Sequence, residues 1–406
     1  MSDIQSTPIQ QLVCYVNDEE SKTILQSIAF KDHGINAEIY DGGIAYALEH
    51  LKGQRSPDII LVDVSKSSMV LSDMASLAEI CEPRVEVIVI GDKNDVGLFR
   101  NLMKMGIRDY YVKPLLESIL LKGIEEIINQ GETLSSTGLK SGKIVSVMGA
   151  RGGIGVSSIV TNLGVLLSNN YDKRVCMLDM DMHSGTFPQY LDIETSDGFS
   201  QLFESPDRID KVLVERYMTF YNERLGVLCS ELSLTDKPDM KPDAIEALFN
   251  FIAPQFHYTL IDLPRHFSTQ LVTNVLSKST QLIVVCDYSM ASLKDCCRIS
   301  QLAKTFPNLN HGIIFIANQT KLFKNGYVDK ATFEETLQRQ ISLEIPFDGV
   351  YPMQALTDGE PLILNGKGVM ADGLKDLGKI ILGIQAKSAS GSGSTGGVLK
   401  KLLGKG

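Results

Sequence analysis

The stretch VMGARGGIGVSSIV, Val147–Val160, carries a β-branched run into a glycine-rich turn and then into a helical pattern, VSSIVTNLGVLLS. Gly152, Gly153 and Gly155 let the backbone bend so that successive N–H groups point at phosphate oxygens, with a helix N-terminus behind them. Ser157 falls where a hydroxyl would ligate Mg²⁺. Taken alone, a glycine-rich turn equally suits a plain tight strand-to-helix connection. One position departs from the pattern, because Val156 stands where such loops carry a phosphate-binding lysine.

Three carboxylates lie in step with this turn. VCMLDMDMHSG ends a strand pattern with Asp179 and Asp181, and YTLIDLP ends another with Asp262. Carboxylates at the C-terminal ends of parallel strands lie in the crevice where such sheets bind ligands. There they hold Mg²⁺ through its waters and position an attacking water. Each aspartate by itself would also serve as a helix cap or turn residue.

Working outward, residues 142–386 read as one α/β unit, with strand patterns KIVSVMG, RVCMLDMD, YTLIDLP, QLIVVCD and GIIFIAN. Residues 1–130 read as another. Short β-branched runs at 12–16, 35–40, 58–63, 85–91 and 108–112 alternate there with helical segments, which predicts a five-stranded parallel sheet covered on both faces. The Ser/Thr/Gly-rich segment 131–141 reads as a linker, and 387–406 as a Ser/Gly spacer with a small basic, apolar end.

Composition narrows the classes. The 406 residues are 44% hydrophobic and 22% charged, ordinary for a soluble globular protein. No apolar run approaches the roughly 20 residues of a membrane helix, and the polar start MSDIQSTPIQQ lacks a secretory pattern. A cytoplasmic protein is expected. The seven cysteines include no C-x-x-C pair and the six histidines have no ligand spacing, so disulfides and zinc are not expected. The adjacent Cys296 and Cys297 read as helix packing. A formal charge of −10 argues against nucleic acid as the main partner.

ARGGIGVSS resembles the deviant Walker A loop of ParA/MinD-type ATPases, in which a signature lysine precedes the paired glycines. DMDMHSGTFPQYLDI, YTLIDLPRHF and LIVVCDYSMASLKDCCRI are similar to the TadZ/CpaE branch, the localisation factors of Tad (Flp) pilus assembly. The resemblance covers residues 142–386, and that branch carries a receiver-like domain in front. It implies a P-loop domain binding ATP and Mg²⁺. Arg151, Gly152, Gly153, Ile154, Gly155, Val156, Ser157 and Ser158 would form the phosphate loop, with Ser157 on the metal. Asp179 would hold Mg²⁺ through water, Asp181 would position the hydrolytic water, and Asp262 would be the Walker B carboxylate. Asn318 matches the residue that reads the adenine edge, and Pro346 the turn lining the base pocket.

Two departures define the expectation. Arg151 replaces the signature lysine, which in the family reaches the partner subunit's nucleotide; arginine keeps the charge and adds a bidentate fork. Val156 offers only its backbone N–H, so charge on the β- and γ-phosphates loses a cation. Arg265, just past Asp262, would compensate in part or be an exposed loop arginine. ATP binding with slow hydrolysis is expected.

The front domain resembles response-regulator receivers. Asp63 takes the phospho-acceptor place and Lys113-Pro114 the lysine and its following proline. Asn17-Asp18 keeps one of two metal carboxylates, and Gly91 replaces the switch hydroxyl. A phosphorylation switch needs both, so a protein–protein or dimerisation module is expected instead. In the tail, Lys400, Lys401 and Lys405 follow a flexible spacer, which suits peripheral contact with an anionic membrane or a disordered end. The reading is an ATP-bound homodimeric scaffold that places Tad pilus and secretion machinery, at a cell pole or the inner face of the membrane. The alternatives are a fully cycling ATPase of the same fold and a DNA partition protein.

Overall fold

The computed structural model describes residues 10–130, 142–195, 198–236, 241–265, 269–320 and 326–384. Segments 131–141 and 387–406, read above as linker and tail, lie outside them. Five strands form the first sheet: β1 (Gln10–Val16), β2 (Ile35–Asp41), β3 (Ile59–Asp63), β4 (Glu86–Gly91) and β5 (Asp109–Val112). They run in the order β2-β1-β3-β4-β5, and all four pairings are parallel. Parallel neighbours require crossovers, and helices supply them, so both faces of the sheet are covered. Tyr15, Ile60 and Val62 feed one apolar layer, Leu12, Cys14 and Leu61 the other.

The second sheet has eight strands: β6 (Lys143–Gly149), β7 (Val175–Asp179), β8 (Thr219–Asn222), β9 (Leu225–Leu228), β10 (Tyr258–Leu263), β11 (Gln281–Cys286), β12 (Ile313–Thr320) and β13 (Ile341–Pro346). Their order is β13-β12-β11-β6-β10-β7-β9-β8, with the β8–β9 pair antiparallel and the rest parallel. Strand β6 sits between β11 and β10, with apolar side chains on both faces. Ile144 and Met148 join one core; Val145 and Val147 join the other. The one polar side chain in its middle, Ser146, is satisfied by the Ser279 hydroxyl at 2.8 Å, as a fully buried hydroxyl requires.

The helix Val156–Asn170 follows β6 and is buried from Ser158 to Ser168. Leu166 meets Leu374, Leu377 and Ile381 of the helix Val369–Leu382 in the same apolar cluster. Each such side chain contributes about 1.5–3 kcal/mol when fully buried, which fixes the helix start against the end of β6.

The two sheets are joined at their strand entrances. Glu82, 2% exposed, lies before β4 and accepts from Arg84 Nε at 3.1 Å and from Arg174 Nη1 at 3.0 Å. Its other oxygen accepts the Ser56 N–H. Arg174 immediately precedes β7 and also covers the Phe256 ring, 5.0 Å from its centroid. Lys173 donates to the Glu79 carbonyl at 2.5 Å. A buried charge is tolerable only when paired and hydrogen-bonded, and Glu82 has both arginines. The contact lies at strand entrances on both sides, away from the carboxyl ends of either sheet.

His257, just before β10, completes this seam. Its Nδ1 accepts the Arg174 N–H at 3.0 Å, and its buried Nε2 has no hydrogen-bond partner. Burial first, then the Lys173 charge, push the imidazole down to about 4. A group depressed on folding stabilises the fold above its unfolded value, near 6.5, and loses that contribution as pH falls toward 4. The shift corresponds to about 3 kcal/mol. Urea unfolding of His257→Gln between pH 7.5 and 4.5 should therefore show a shallower acid loss of stability than the parent chain.

Candidate functional site

Strand β6 delivers the chain to the loop Ala150–Gly155 at the carboxyl edge of the second sheet. Gly155 has φ +93 and serves as N-cap of the helix Val156–Asn170 without any side-chain cap. L side chains strain at that φ, so glycine there lets the first-turn amides open toward the cleft. A Cβ on Gly152 or Gly153 would meet no atom within 4 Å, so the loop backbone borders open space. This open cradle at an uncapped helix N-terminus is a fitting place for an anion. The cleft above it is about 820 Å³ and is lined by Gly152–Ser158, Asp181, Asp262 and Arg265 among others, within the size range of small-molecule sites.

Asp179 and Asp262 end neighbouring strands in direct register. They are 1% and 4% exposed. The Asp181 N–H donates to Asp179 Oδ1 at 3.0 Å, while Asp179 Oδ2, Asp262 Oδ2 and Ser158 Oγ are buried with no hydrogen-bond partner. Burial, followed by the charge of Asp262, pushes the Asp179 carboxyl well above its ordinary value. Burial does the same to Asp262, opposed by the Ser157 hydroxyl and reinforced by Asp181. Close approach by Gly185 belongs to this arrangement, since a Cβ there would lie 2.4 Å from Asp179 Oδ2. Free carboxylate oxygens beside a serine hydroxyl make a hard-oxygen donor set of the kind Mg²⁺ takes. The residues present thus suit a magnesium nucleotide.

The residues singled out in the sequence divide into two groups. The loop, Asp179, Asp181, Asp262 and Ser157 converge at one edge of the sheet. Val156 turns its side chain onto the apolar cluster under the loop, leaving no cation at that point. Asn318 and Pro346 lie at the ends of β12 and β13 instead. Asn318 is 3% exposed and donates its Nδ2 to the Ile154 carbonyl at 2.8 Å, bracing the loop from behind. Pro346 pairs in register with Thr320.

Arg151 has a partner the sequence did not suggest. Its Nη1 lies 3.1 Å from Asp287 Oδ2 and 3.1 Å from Ser289 Oγ. Asp287 follows β11 and also accepts from the Ser289 N–H, Ser289 Oγ and Ser292 Oγ. Burial works to raise this carboxyl, but those hydrogen bonds and Arg151 outweigh it and hold it below the ordinary range. Asp287 is visible in DYSMAS only as a strand-end acid. Its role depends on a residue 136 positions earlier in the chain, at the loop.

The receiver-like domain has its own acidic pocket. Asp63 is fully buried at the end of β3. Lys113 Nζ lies 2.5 Å from its Oδ2 and also pairs with Asp18. The Asn17 N–H reaches Oδ2 at 2.9 Å and the Ser65 N–H reaches Oδ1 at 2.8 Å. Burial would raise the Asp63 carboxyl, yet Lys113 and Ser65 outweigh it and lower it. At Gly91 a Cβ would lie 2.7 Å from the Tyr110 hydroxyl, which is anchored on the Lys93 carbonyl at 2.8 Å. The Tyr110 ring fills the space a hydroxyl side chain at 91 would need.

A strand ending in an open phosphate loop, with paired carboxylates on the next two strands of the sheet, defines the class: an α/β protein of the P-loop fold. A family model described as "ParA: NUBPL iron-transfer P-loop NTPase" matches residues 140–355, more than half of the chain, and the protein belongs to this ParA family. The septum site-determining protein MinD of Thermotoga maritima is 24% identical over 247 residues, covering 60% of this chain and 89% of that protein. A ParA family ATPase from Chlorobium tepidum has a similar structure, with TM-score 0.53 and 23% identity, covering 58% of this chain and 98% of that one. The pilus assembly protein CpaE of Caulobacter crescentus matches at TM-score 0.29 and 23% identity, covering 30% of this chain and 96% of that one. Among the described residues, no helix is long and apolar enough to cross a membrane.

Two buried like charges in register destabilise the fold in the absence of a cation. Replacing Asp262 by Asn should raise the melting temperature at pH 7.5 without added metal, by about 1 °C for each kcal/mol of repulsion relieved. The stabilisation that Mg²⁺ with nucleotide gives the parent chain should be lost in that variant. Differential scanning calorimetry reads both.

Proposed function

We propose that this protein is an ATP-binding, Mg²⁺-dependent homodimeric scaffold that localises Tad/Flp pilus assembly machinery and hydrolyses ATP slowly. One observation carries the nucleotide part. An open glycine cradle faces two buried carboxylates with unpartnered oxygens, while Val156, the place of the usual lysine, is a half-buried apolar side chain packed against the core. The amides of Gly152–Ser158 would bind the phosphates. Ser157, Asp179 and Asp262 would hold Mg²⁺, with Asp179 acting through water, and Asp181 would orient the attacking water. Bound ATP supplies a phosphoryl group whose loss would switch the dimer. Asn318 and Pro346 would bound the base pocket, as the family resemblance implies.

Hydrolysis is slow in this reading because phosphoryl transfer rests on charge stabilisation, and the loop lacks its cation. Arg151 would reach the partner subunit's phosphates only after leaving Asp287 and Ser289, a further cost to assembling the reactive dimer. Val156→Lys should raise turnover by about tenfold or more, in line with the loss of a charge-stabilising donor elsewhere. A steady-state phosphate-release assay, run beside a lysine-bearing member of the family, measures it. Parent turnover equal to that member's would overturn the slow-hydrolysis reading.

The pilus assignment is supported by DMDMHSGTFPQYLDI and YTLIDLPRHF, together with the receiver-like domain in front. That domain acts here as a protein–protein module, because Asn17 leaves the pocket one metal carboxylate short and the Tyr110 hydroxyl fills the space beside Gly91 where the switch hydroxyl would stand. Incubation with acetyl phosphate and Mg²⁺ should leave Asp63 unmodified by mass spectrometry. A fluorescent fusion should gather at a cell pole with the pilus machinery and disperse when Gly152 and Gly153 are replaced. An even distribution of the parent fusion would count against it. Light scattering with ATP, ADP and no nucleotide would test the dimer.

A further inference from the structure

The phosphate cleft has an uneven charge inventory. Asp181 and Asp262 line it, with Asp179 buried in register beside Asp262, and among the described residues lining it the only lysines or arginines are Arg151 and Arg265. A bound triphosphate adds further negative charge, and Mg²⁺ with backbone amides offsets part of it. In loops of this kind a lysine supplies much of the rest, and here that residue is Val156.

Arg151 is poorly placed to take over within one subunit. Its partner Asp287 is a buried carboxylate set among serine donors and held firmly ionised. Arg265 is bound differently. It follows Asp262 by three residues, at the carboxyl end of β10, and its side chain is 44% exposed. Its Nη2 donates to Asp295 Oδ2 at 2.7 Å. The other oxygen of Asp295 already faces Arg298 Nη1 at 3.4 Å. Departure of Arg265 therefore leaves Asp295 with a cation, so the exchange does not strand a carboxylate. A single ion pair with an exposed arginine is a modest hold on it, whereas a guanidinium on phosphate makes charge-assisted, bidentate bonds.

We infer that Arg265 is the phosphate-binding cation of this cleft, turning from Asp295 to the phosphate chain of a nucleoside triphosphate and supplying the charge that Val156 cannot. The inference rests on the reading of the cleft as an ATP site. Asp295 is then a positioning residue that parks Arg265 between ligands, with Arg298 as its relief partner.

Equilibrium binding of Mg-ATP to the full chain, by isothermal titration, tests this without reference to turnover. Arg265→Ala should weaken binding by about tenfold or more, and Arg265→Lys by less, since a charged hydrogen bond to phosphate is lost in one and only reshaped in the other. Asp295→Asn should tighten binding, because the competing carboxylate charge is gone. Val156→Lys placed in the Arg265→Ala chain should bring affinity back to within about threefold of the parent. Melting temperatures of all variants separate affinity from folding, and Arg265→Lys carries the comparison if the alanine variant does not fold. Unchanged affinity in Arg265→Ala, or a loss that Val156→Lys does not restore, overturns the inference while leaving the ATP reading intact. A parent chain that does not bind Mg-ATP overturns both.

Discussion

Asp179 and Asp262 stand side by side because β7 and β10 are parallel neighbours in register, and nearly every feature of the second sheet serves that placement. Two ionised carboxylates cannot share a dry site without a cation, and among the described residues no lysine or arginine pairs with either of them. Ser157 leans on one and the Asp181 amide on the other. Gly185 is as close as it is because any side chain there would collide with Asp179. The apolar layers on both faces of β6 hold the loop at a fixed height above the pair. The fold thus keeps a locally unfavourable arrangement that a bound cation would relieve, as functional sites commonly do.

Much of this was legible because the strands that build the site are buried on both faces and read as continuous apolar runs. KIVSVMG, YTLIDLP and QLIVVCD could hardly be anything else, and their polar ends fall at the carboxyl edge. The strands not singled out in the sequence are the outer ones. TFYN and LGVL form a four-residue pair at one margin, and ISLEIP at the other alternates exposed Ser342 and Glu344 with buried Ile341 and Ile345. Short or half-exposed edges carry weak patterns. Partnerships across long sequence distances were also invisible. Asn318 bracing Ile154, Asp287 holding Arg151 and Tyr110 filling the space beside Gly91 follow from the fold alone, because each joins residues of different strands or of the turns that follow them.

The two arginines of the cleft show how one helix can govern a site it does not line. Asp287 precedes the helix Met290–Ala303, and Asp295 sits within it. Through them the helix and the turn that leads into it hold both Arg151 and Arg265. Asp295 is backed by a second arginine and the more deeply buried Asp287 by serines, so the two cations differ in how readily they leave. A small displacement of this helix would alter both contacts together.

Glu82 has a bearing on how the protein can be divided. Its carboxylate is shared between Arg84 of the receiver-like half and Arg174 of the P-loop half, and Arg174 in turn lies over Phe256. Cutting the chain into its two α/β units would leave each with a charged surface shaped for the other: an arginine on an aromatic ring facing water on one side, an acid with half its partners on the other. The halves are better regarded as one body assembled from two sheets than as beads on a string. The P-loop half prepared alone would be a different protein in its stability, its solubility and its tendency to find acidic surfaces that were never meant for it.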